Sequence, residues 1–336
     1  VTELGFALLG CGRVSRKHVD ALAAIPGARL VAACDVQLER ARELGVPAFA
    51  DLDAMLRAVP EIDVVSILTP TGNHPEHVLR IAGHGKHVVV EKPMALTVDD
   101  ADEMIDACAR AGVQLFVVKQ SRHNPPVRRL RDALDAGRFG KLVMGTVRVR
   151  WCRRQDYYDA DPWRGTRELD GGVLANQASH HIDLLTWMLG PVQSVYAMAA
   201  TQLVDIETED TAAVLLRFAS GALGVVEATM ATRPVDLEGS LSILGERGSV
   251  VIGGYSMDRL DVWNFDPPMP TPKFDAGQGH RSYLEQVVRA LRGESANVVD
   301  GVEGRKSVEV IDAIYESIRT RREVVLEAPR RIRSVS

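Results

Sequence analysis

Short apolar runs alternate with amphipathic stretches along the first third of the chain. LGFALLG (4–10) ends in glycine, and SRKHVDALAAI (15–25) follows with Val19, Leu22 and Ile25 at helical spacing. ARLVAACD (28–35) is a second apolar run that ends in an acid. DVVSILTP (63–70), KHVVVEKP (86–93) and VQLFVVK (113–119) are further buried-strand candidates, with helical stretches at 73–83 and 97–111 between them. Strand and helix alternating at this spacing predict a parallel sheet covered on both faces.

From about residue 122 the pattern changes. PPVRRLRDALDAGRFG (125–140) predicts an amphipathic helix, KLVMGTVRVRW (141–151) alternates like a half-buried strand, and 173–189 reads as a helix. Apolar runs at 194–201, 211–218, 222–230, 240–244, 249–252 and 259–264 are separated by turn signals such as ASGA (219–222) and GERGS (245–249). Closing helices are expected at 280–291 and 305–320. Successive strands with tight turns predict a large, mostly antiparallel open sheet with helices on one face. A homo-oligomer would cover the other face.

Composition narrows the function. A chain of 336 residues suggests two domains. The net charge of −5 argues against general nucleic-acid binding. No apolar run approaches the roughly 20 residues that span a bilayer. The start of the chain has no basic-then-apolar signal pattern. Cys11, Cys34, Cys108 and Cys152 are scattered without a C-x-x-C pair, as expected of reduced thiols in the cytoplasm.

The chemistry gathers at strand ends. GCGRVS (10–15) is the turn from the first strand into the first helix. Gly10 permits the tight turn, and Gly12 lets a pyrophosphate approach the backbone along Cys11, Arg13 and Val14. Ser15 stands where the usual fingerprint has a third, packing glycine. Asp35, about 20 residues on, can accept from a ribose diol and would repel a 2′-phosphate, which favours NAD over NADP. The fold class is therefore α/β: an N-terminal Rossmann dinucleotide-binding domain over 1–121, and a C-terminal α+β domain for substrate and oligomerisation over 122–336. Thr69, Pro70, Asn73 and His74, and then Glu91 and Lys92, fall at the carboxyl ends of later strands, where such sheets bind ligands. His74, His77, His84 and His87 have zinc-like spacing, but no cysteine or well-placed carboxylate accompanies them, so no metal is expected.

Residues 119–167 hold thirteen Lys/Arg against five Asp, a net +8. Arg128, Arg129 and Arg131 read as a solvated helix face. Arg122, Arg153, Arg154 and Arg164 fall in loop-like stretches with Tyr157, Tyr158 and Trp163, which suits an anionic substrate with a ring, with a solvated patch as the alternative; Lys119 and Asn124 are further substrate-binding candidates. In GGVLANQASHHIDLLTW (171–187), helical spacing places Asn176, His180, Asp183 and Trp187 on one face. His181 falls with Leu185 and Met188 on a more apolar one.

Together LLGCGRVSRKHVDAL, TPTGNHPEHV, EKPMALT and GGVLANQASHHIDLLTW resemble the Gfo/Idh/MocA oxidoreductase family over almost the whole chain. The resemblance implies Lys92 of EKP and His180 as the catalytic pair. Family members often carry Asp four residues before that histidine; Asn176 here can hold a sugar hydroxyl but cannot act as a base. Within the family, VVKQSRHNPPVRRL, RVRWCRRQDYYDADPWRGT, VDIETEDTA and GVEGRKSVEVIDAIYES are most similar to members that oxidise the UDP-sugar UDP-2-acetamido-2-deoxyglucuronate (UDP-GlcNAcA) at C3 in surface-polysaccharide biosynthesis. That likeness implies NAD, a UDP-sugar substrate and a homotetramer. The alternatives are an inositol-type sugar or polyol dehydrogenase and a non-catalytic NAD-binding regulator.

Overall fold

The computed structural model describes residues 3–274 and 279–326. The chain opens with β1 (Leu4–Leu9), α1 (Ser15–Ala23), β2 (Ala28–Cys34), α2 (Leu38–Arg42), β3 (Ala48–Phe49) and α3 (Leu52–Ala58). It continues through β4 (Val64–Ile67), α4 (His74–Gly83), β5 (His87–Val90), α5 (Val98–Ala111) and β6 (Leu115–Val117). All six strands are parallel, in the order β3-β2-β1-β4-β5-β6. Consecutive residues such as Phe6, Ala7 and Leu8 are buried because helices cover both faces. The order in which strands are added reverses between β1 and β4, which opens a crevice at their carboxyl ends. Helices α2 and α3 and the two-residue β3 have no counterpart in the sequence reading, being too short to show a period.

Then follow α6 (Pro125–Asp135), β7 (Leu142–Arg150), α7 (Gln155–Asp159), a π-helical turn (Val173–Gln177) and α8 (Ser179–Leu189). Next come β8 (Val192–Ala200), β9 (Thr211–Phe218), β10 (Leu223–Thr229), β11 (Glu238–Gly245), β12 (Gly248–Gly253) and β13 (Arg259–Phe265). The described chain closes with α9 (Gly279–Leu291), α10 (Gly301–Thr320) and β14 (Val324–Val325). The second sheet has eight strands in the order β13-β12-β11-β7-β10-β9-β8-β14. It is antiparallel throughout except where β10 runs parallel to β7. Along β9, Ala212, Val214, Leu216 and Phe218 are buried while Leu215 and Arg217 face solvent. Helix α8 packs on the buried face, where Leu185 and Leu189 close over Gly145 of β7.

The chain divides into two compact units, but not by a single cut at 121/122. The first holds Val1–Asn124, Thr166–Gly171 and Ala276–Val308; the second holds Pro125–Gly165, Gly172–Asp275 and Glu309–Ser336. The tail of the expected second domain, 327–336, lies outside the described residues. The return of α9 to the first unit has a plain cause. Its apolar stripe of Tyr283, Leu284, Val287 and Val288 is buried in one core with Phe6, Leu8, Leu22 and Phe116. The segment between α9 and α10 also serves the edge of the first sheet, since the Val117 N–H donates to the Val299 carbonyl at 2.9 Å.

Gly5 shows how tightly β1 is seated: a Cβ there would overlap the Glu61 carbonyl. Gly5→Ala is expected to destabilise the protein by about 1–3 kcal/mol, read as a lower urea midpoint; an unchanged midpoint would mean the turn before β4 yields freely.

Candidate active site

The turn after β1 is shaped by close contact with the end of β4. Gly10 has φ +93°, and a Cβ on it would come within 2.9 Å of the Leu68 carbonyl carbon. Gly12 differs: a Cβ there would meet nothing within 4 Å, so its missing side chain leaves open room beside the N-terminus of α1. Ser15 is buried, and its hydroxyl donates to the Gly12 carbonyl at 2.7 Å, so a small residue does fill the third glycine position. Val14 is the N-cap of α1, and Arg13 beside it is exposed. Asp35, just past β2, accepts from the Cys11 N–H at 2.7 Å and from the Gln37 N–H at 2.8 Å. Its two oxygens retain lone pairs for a ribose diol. An open cradle, a helix N-terminus and a fixed carboxylate together fit a dinucleotide.

The later strand ends of the same unit are bound to this turn. The backbone of Pro70–Asn73 makes a short 3₁₀ turn into α4, and Gly72 donates to the Leu169 carbonyl at 3.2 Å. His74 is buried, and its ring nitrogens face the carbonyl oxygens of Thr69 (2.9 Å), Pro93 (3.0 Å) and Met94 (3.3 Å). It thus ties the β4 loop to the EKP loop. Burial lowers its pKa, although the carbonyls oppose this. The other histidines of the zinc-like pattern diverge. His77 meets the Thr69 hydroxyl at 3.0 Å and burial lowers its pKa to about 4, His84 lies 3.4 Å from Asp53, and His87 accepts from the Gln114 N–H at 3.0 Å.

Glu91 is buried after β5, with its N–H bonded to the Ile67 carbonyl at 3.0 Å. Burial alone would raise its pKa, but His18 and His280 outweigh that and hold the carboxyl well below the usual range. Lys92, half-buried, is pushed below the ordinary lysine value by burial, while Glu91 and Asp170 pull it back up. His18, Glu91 and His280 place their ligand-type atoms within 4.8 Å of one another. Nothing in the sequence pointed to that grouping, because His280 arrives on α9.

In the second unit the expected helix 173–189 begins as a π turn, marked by the Ala178 N–H donating to the Val173 carbonyl five residues back at 2.8 Å. Gly172 at φ +79° precedes it and Gly190 at φ +87° ends the helix. The extra residue in that turn alters the expected row. Asn176, Gln177 and His180 are half-buried, whereas Asp183 is buried. His181 is buried edge-on against Trp151, as its apolar neighbours suggested. Glu209 anchors the turn and was missed from sequence: its carboxylate accepts from the Leu174 N–H at 3.1 Å and the Tyr315 hydroxyl at 2.9 Å.

The basic segment is dispersed in space. Lys119 is buried and donates to the Ser307 hydroxyl at 2.8 Å, Arg122 pairs with Glu303 at 3.0 Å, and Asn124 is buried, all within the first unit. Arg148 and Arg150 lie on the exposed sheet face with Glu227 and Glu238. Acids distant in sequence thus neutralise much of the local excess. A compact group remains in the second unit. Tyr157 has the guanidinium of Arg153 at 5.4 Å and that of Arg164 at 4.4 Å from its ring centre, and Arg164 also covers Trp163 at 4.6 Å. The Tyr157 hydroxyl meets Arg164 at 2.6 Å and Gln177 at 3.1 Å, which joins this group to the π turn. Asp236 and Asp161 pair with Arg153 and Arg164, and among the described residues these bonds use only part of each fork's five donors. Arg154 is exposed.

Comparison with known proteins gives the family. Residues 4–119 match the family model described as oxidoreductase family, NAD-binding Rossmann fold, and residues 131–326 match its C-terminal alpha/beta domain. The chain belongs to the Gfo/Idh/MocA oxidoreductase family. It is an NAD-dependent sugar dehydrogenase by family. Among solved structures, the WlbA dehydrogenase of Bordetella pertussis, in complex with NADH and UDP-GlcNAcA, is 43% identical with a TM-score of 0.90, covering 97% of this chain and 100% of that one. The WlbA dehydrogenase of Chromobacterium violaceum, in complex with the same two molecules, is 41% identical with a TM-score of 0.91, covering 98% of each. Among curated relatives, a D-apiose dehydrogenase of Paraburkholderia graminis is 29% identical over 96% of this chain and 89% of its own length. A myo-inositol 2-dehydrogenase of Thermotoga maritima is 28% identical over 95% and 98%.

Asp35→Ala leaves the Cys11 and Gln37 N–H groups without their acceptor and removes the ribose partner. NAD affinity is expected to fall about tenfold to a hundredfold in a fluorescence titration; unchanged affinity would remove Asp35 from the cofactor site.

Proposed function

We propose that this enzyme oxidises the C3 hydroxyl of UDP-GlcNAcA to the 3-keto sugar, with NAD as acceptor. The observation that carries this reading is the Arg153–Tyr157–Arg164 group. Half-buried guanidiniums beside aromatic rings suit a pyrophosphate or carboxylate next to a base. A neutral polyol would leave them without a role. Likeness to the two WlbA dehydrogenases, whose complexes hold UDP-GlcNAcA, supports the same substrate. We place the reaction in bacterial surface-polysaccharide biosynthesis, in the cytoplasm.

We assign Lys92 and His180 to the reacting hydroxyl. An alcohol gives up hydride only as its proton leaves, and imidazole titrates near neutral pH. His180 accepts the C3 hydroxyl proton, and Lys92 donates to the same oxygen and stabilises its developing charge. Bound NAD takes up the hydride. Gly10, Cys11, Gly12, Arg13, Val14 and Asp35 would hold the dinucleotide, together with Thr69, Pro70, Asn73, His74 and Glu91. Asn176 would hold a sugar hydroxyl beside His180. Lys119, Arg122 and Asn124 are also assigned to substrate; the hydrogen bond of Lys119 and the ion pair of Arg122 would orient them.

The exposed face of the second sheet fits a homotetramer. Met198 is 68% exposed and Leu215 58% exposed, near the Arg148–Glu227–Glu238–Arg150 network. Apolar surface beside ordered ion pairs on an open sheet is what a subunit contact would bury.

The test is NADH formation on a panel of UDP-GlcNAcA, myo-inositol, D-apiose and free sugars. Turnover of UDP-GlcNAcA alone is expected; preference for myo-inositol would favour the inositol-type reading. Lys92→Ala and His180→Asn should each lower kcat about a hundredfold or more with KM largely kept. Loss of turnover in His181→Asn but not in His180→Asn would reverse the histidine assignment.

A further inference from the structure

The first unit contains two histidines beside Glu91 that the proposed chemistry does not use. His18 lies on the buried face of α1, and its Nε2 stands 2.9 Å from Glu91 Oε1. His280, at the start of α9, brings its Nε2 to 3.5 Å from the same oxygen. The two rings meet edge to face with centres 5.7 Å apart. The other carboxylate oxygen, Oε2, accepts from the Lys92 N–H at 3.1 Å. One carboxylate thus faces two imidazoles on one side and the backbone of Lys92 on the other.

A buried carboxylate stays charged only where hydrogen bonds and opposite charge offset its desolvation. His18 supplies a hydrogen bond at 2.9 Å and His280 places a second ring nitrogen 3.5 Å from the same oxygen, and burial of the carboxylate makes each contact count for more than it would at the surface. The arrangement also spans the fold, since α1, the end of β5 and α9 each contribute a residue. The Glu91 N–H bond to Ile67 fixes the carboxylate's backbone as well.

We propose that His18 and His280 are positioning residues for Lys92, acting by clamping the Glu91 carboxylate beneath it. The proposal rests on the assignment of Lys92 to the reaction. Among the described residues, the groups that face the pair include His74, which feels the Glu91 charge. Asp170, Lys119 and Lys17 act on Lys92 beside Glu91, and Tyr283 of α9 feels the Glu91 charge. The sign follows from these groups. Without an imidazole, burial raises the Glu91 pKa and the carboxylate takes up a proton. Lys92 then loses the carboxylate that does most to raise its pKa, its ammonium becomes harder to keep, and its own pKa falls.

A metal ion is the competing use of two histidines and a glutamate. The 2.9 Å contact between His18 and Glu91 is a hydrogen-bond distance, and Oε2 is already engaged by Lys92, which favours the clamp.

The test is competitive acetic-anhydride labelling of the full-length protein across pH, with the Lys92 peptide read by mass spectrometry. Because the free amine reacts, a lower Lys92 pKa moves its labelling midpoint to lower pH. Glu91→Gln and His280→Leu are expected to move the midpoint down and to shift the alkaline limb of kcat in the same direction, with kcat at neutral pH lowered roughly tenfold and KM kept. His280→Gln retains a side-chain donor and should restore the wild-type midpoint. Unchanged profiles in folded Glu91→Gln and His280→Leu would overturn the proposal. So would stoichiometric zinc in the purified wild-type protein that is lost in His280→Leu. Normal turnover by Lys92→Ala would sink the catalytic assignment instead, while leaving the labelling result to stand by itself.

Discussion

The contact between the turn after β1 and the end of β4 governs the cofactor half of this enzyme. Gly10 can make it because it has no Cβ and accepts φ +93°. The backbone of Leu68 and Thr69 then closes directly on the turn. From that contact the other parts follow in sequence. Asp35 is fixed by the Cys11 N–H within the turn, and His74 spans from Thr69 to the EKP loop. Glu91 bonds to Ile67 at the end of β4, and Lys92 is bonded to Glu91. A chain of hydrogen bonds, most of them between a side chain and the backbone, thus connects the nucleotide cradle to the lysine assigned to catalysis, and such fixed geometry is what hydride transfer requires of the residues around it.

The second unit solves a different problem. It must present polar and cationic groups from the covered side of a large sheet without leaving them unsatisfied. The π turn does this by adding one residue ahead of α8, held in place by Glu209 and by Gly172, whose Cβ would otherwise run into that carboxylate. Asn176 and His180 stay accessible, while His181 and Asp183 turn inward. Tyr157 links the turn to the two guanidiniums through its hydroxyl and its ring. Asp161 and Asp236 orient those forks without exhausting their donors, a compromise between a fixed geometry and a usable charge.

Much of the first unit was legible because its signals are local. A strand, a glycine turn and a helix follow one another in LGFALLGCGRVSRKHV, and the acid of ARLVAACD falls at the next strand end. The alternation in β7 likewise predicted a half-covered strand. What stayed hidden depends on distant contacts. The apolar stripe of α9 was visible, but nothing local says that it packs on β1 and α1 and so splits the first unit across the chain. The net +8 of residues 119–167 looked like one basic surface because its partners, Glu227, Glu238, Asp236 and Glu303, lie far away in sequence. The π turn could not be read from a 3.6-residue period. The family resemblance supplied what periodicity could not, the proposal that Lys92 and His180 serve one reaction. It gave no sign of the buried cluster of His18, Glu91 and His280.

The central claim is that the hydrogen on C3 of UDP-GlcNAcA is the one transferred. Substrate deuterated at C3 tests it directly, with the nicotinamide product examined by mass spectrometry and NMR. Deuterium at nicotinamide C4, with a slowed turnover, is the predicted result. Deuterium retained in an oxidised sugar, or no oxidation of this substrate at all, would contradict the account.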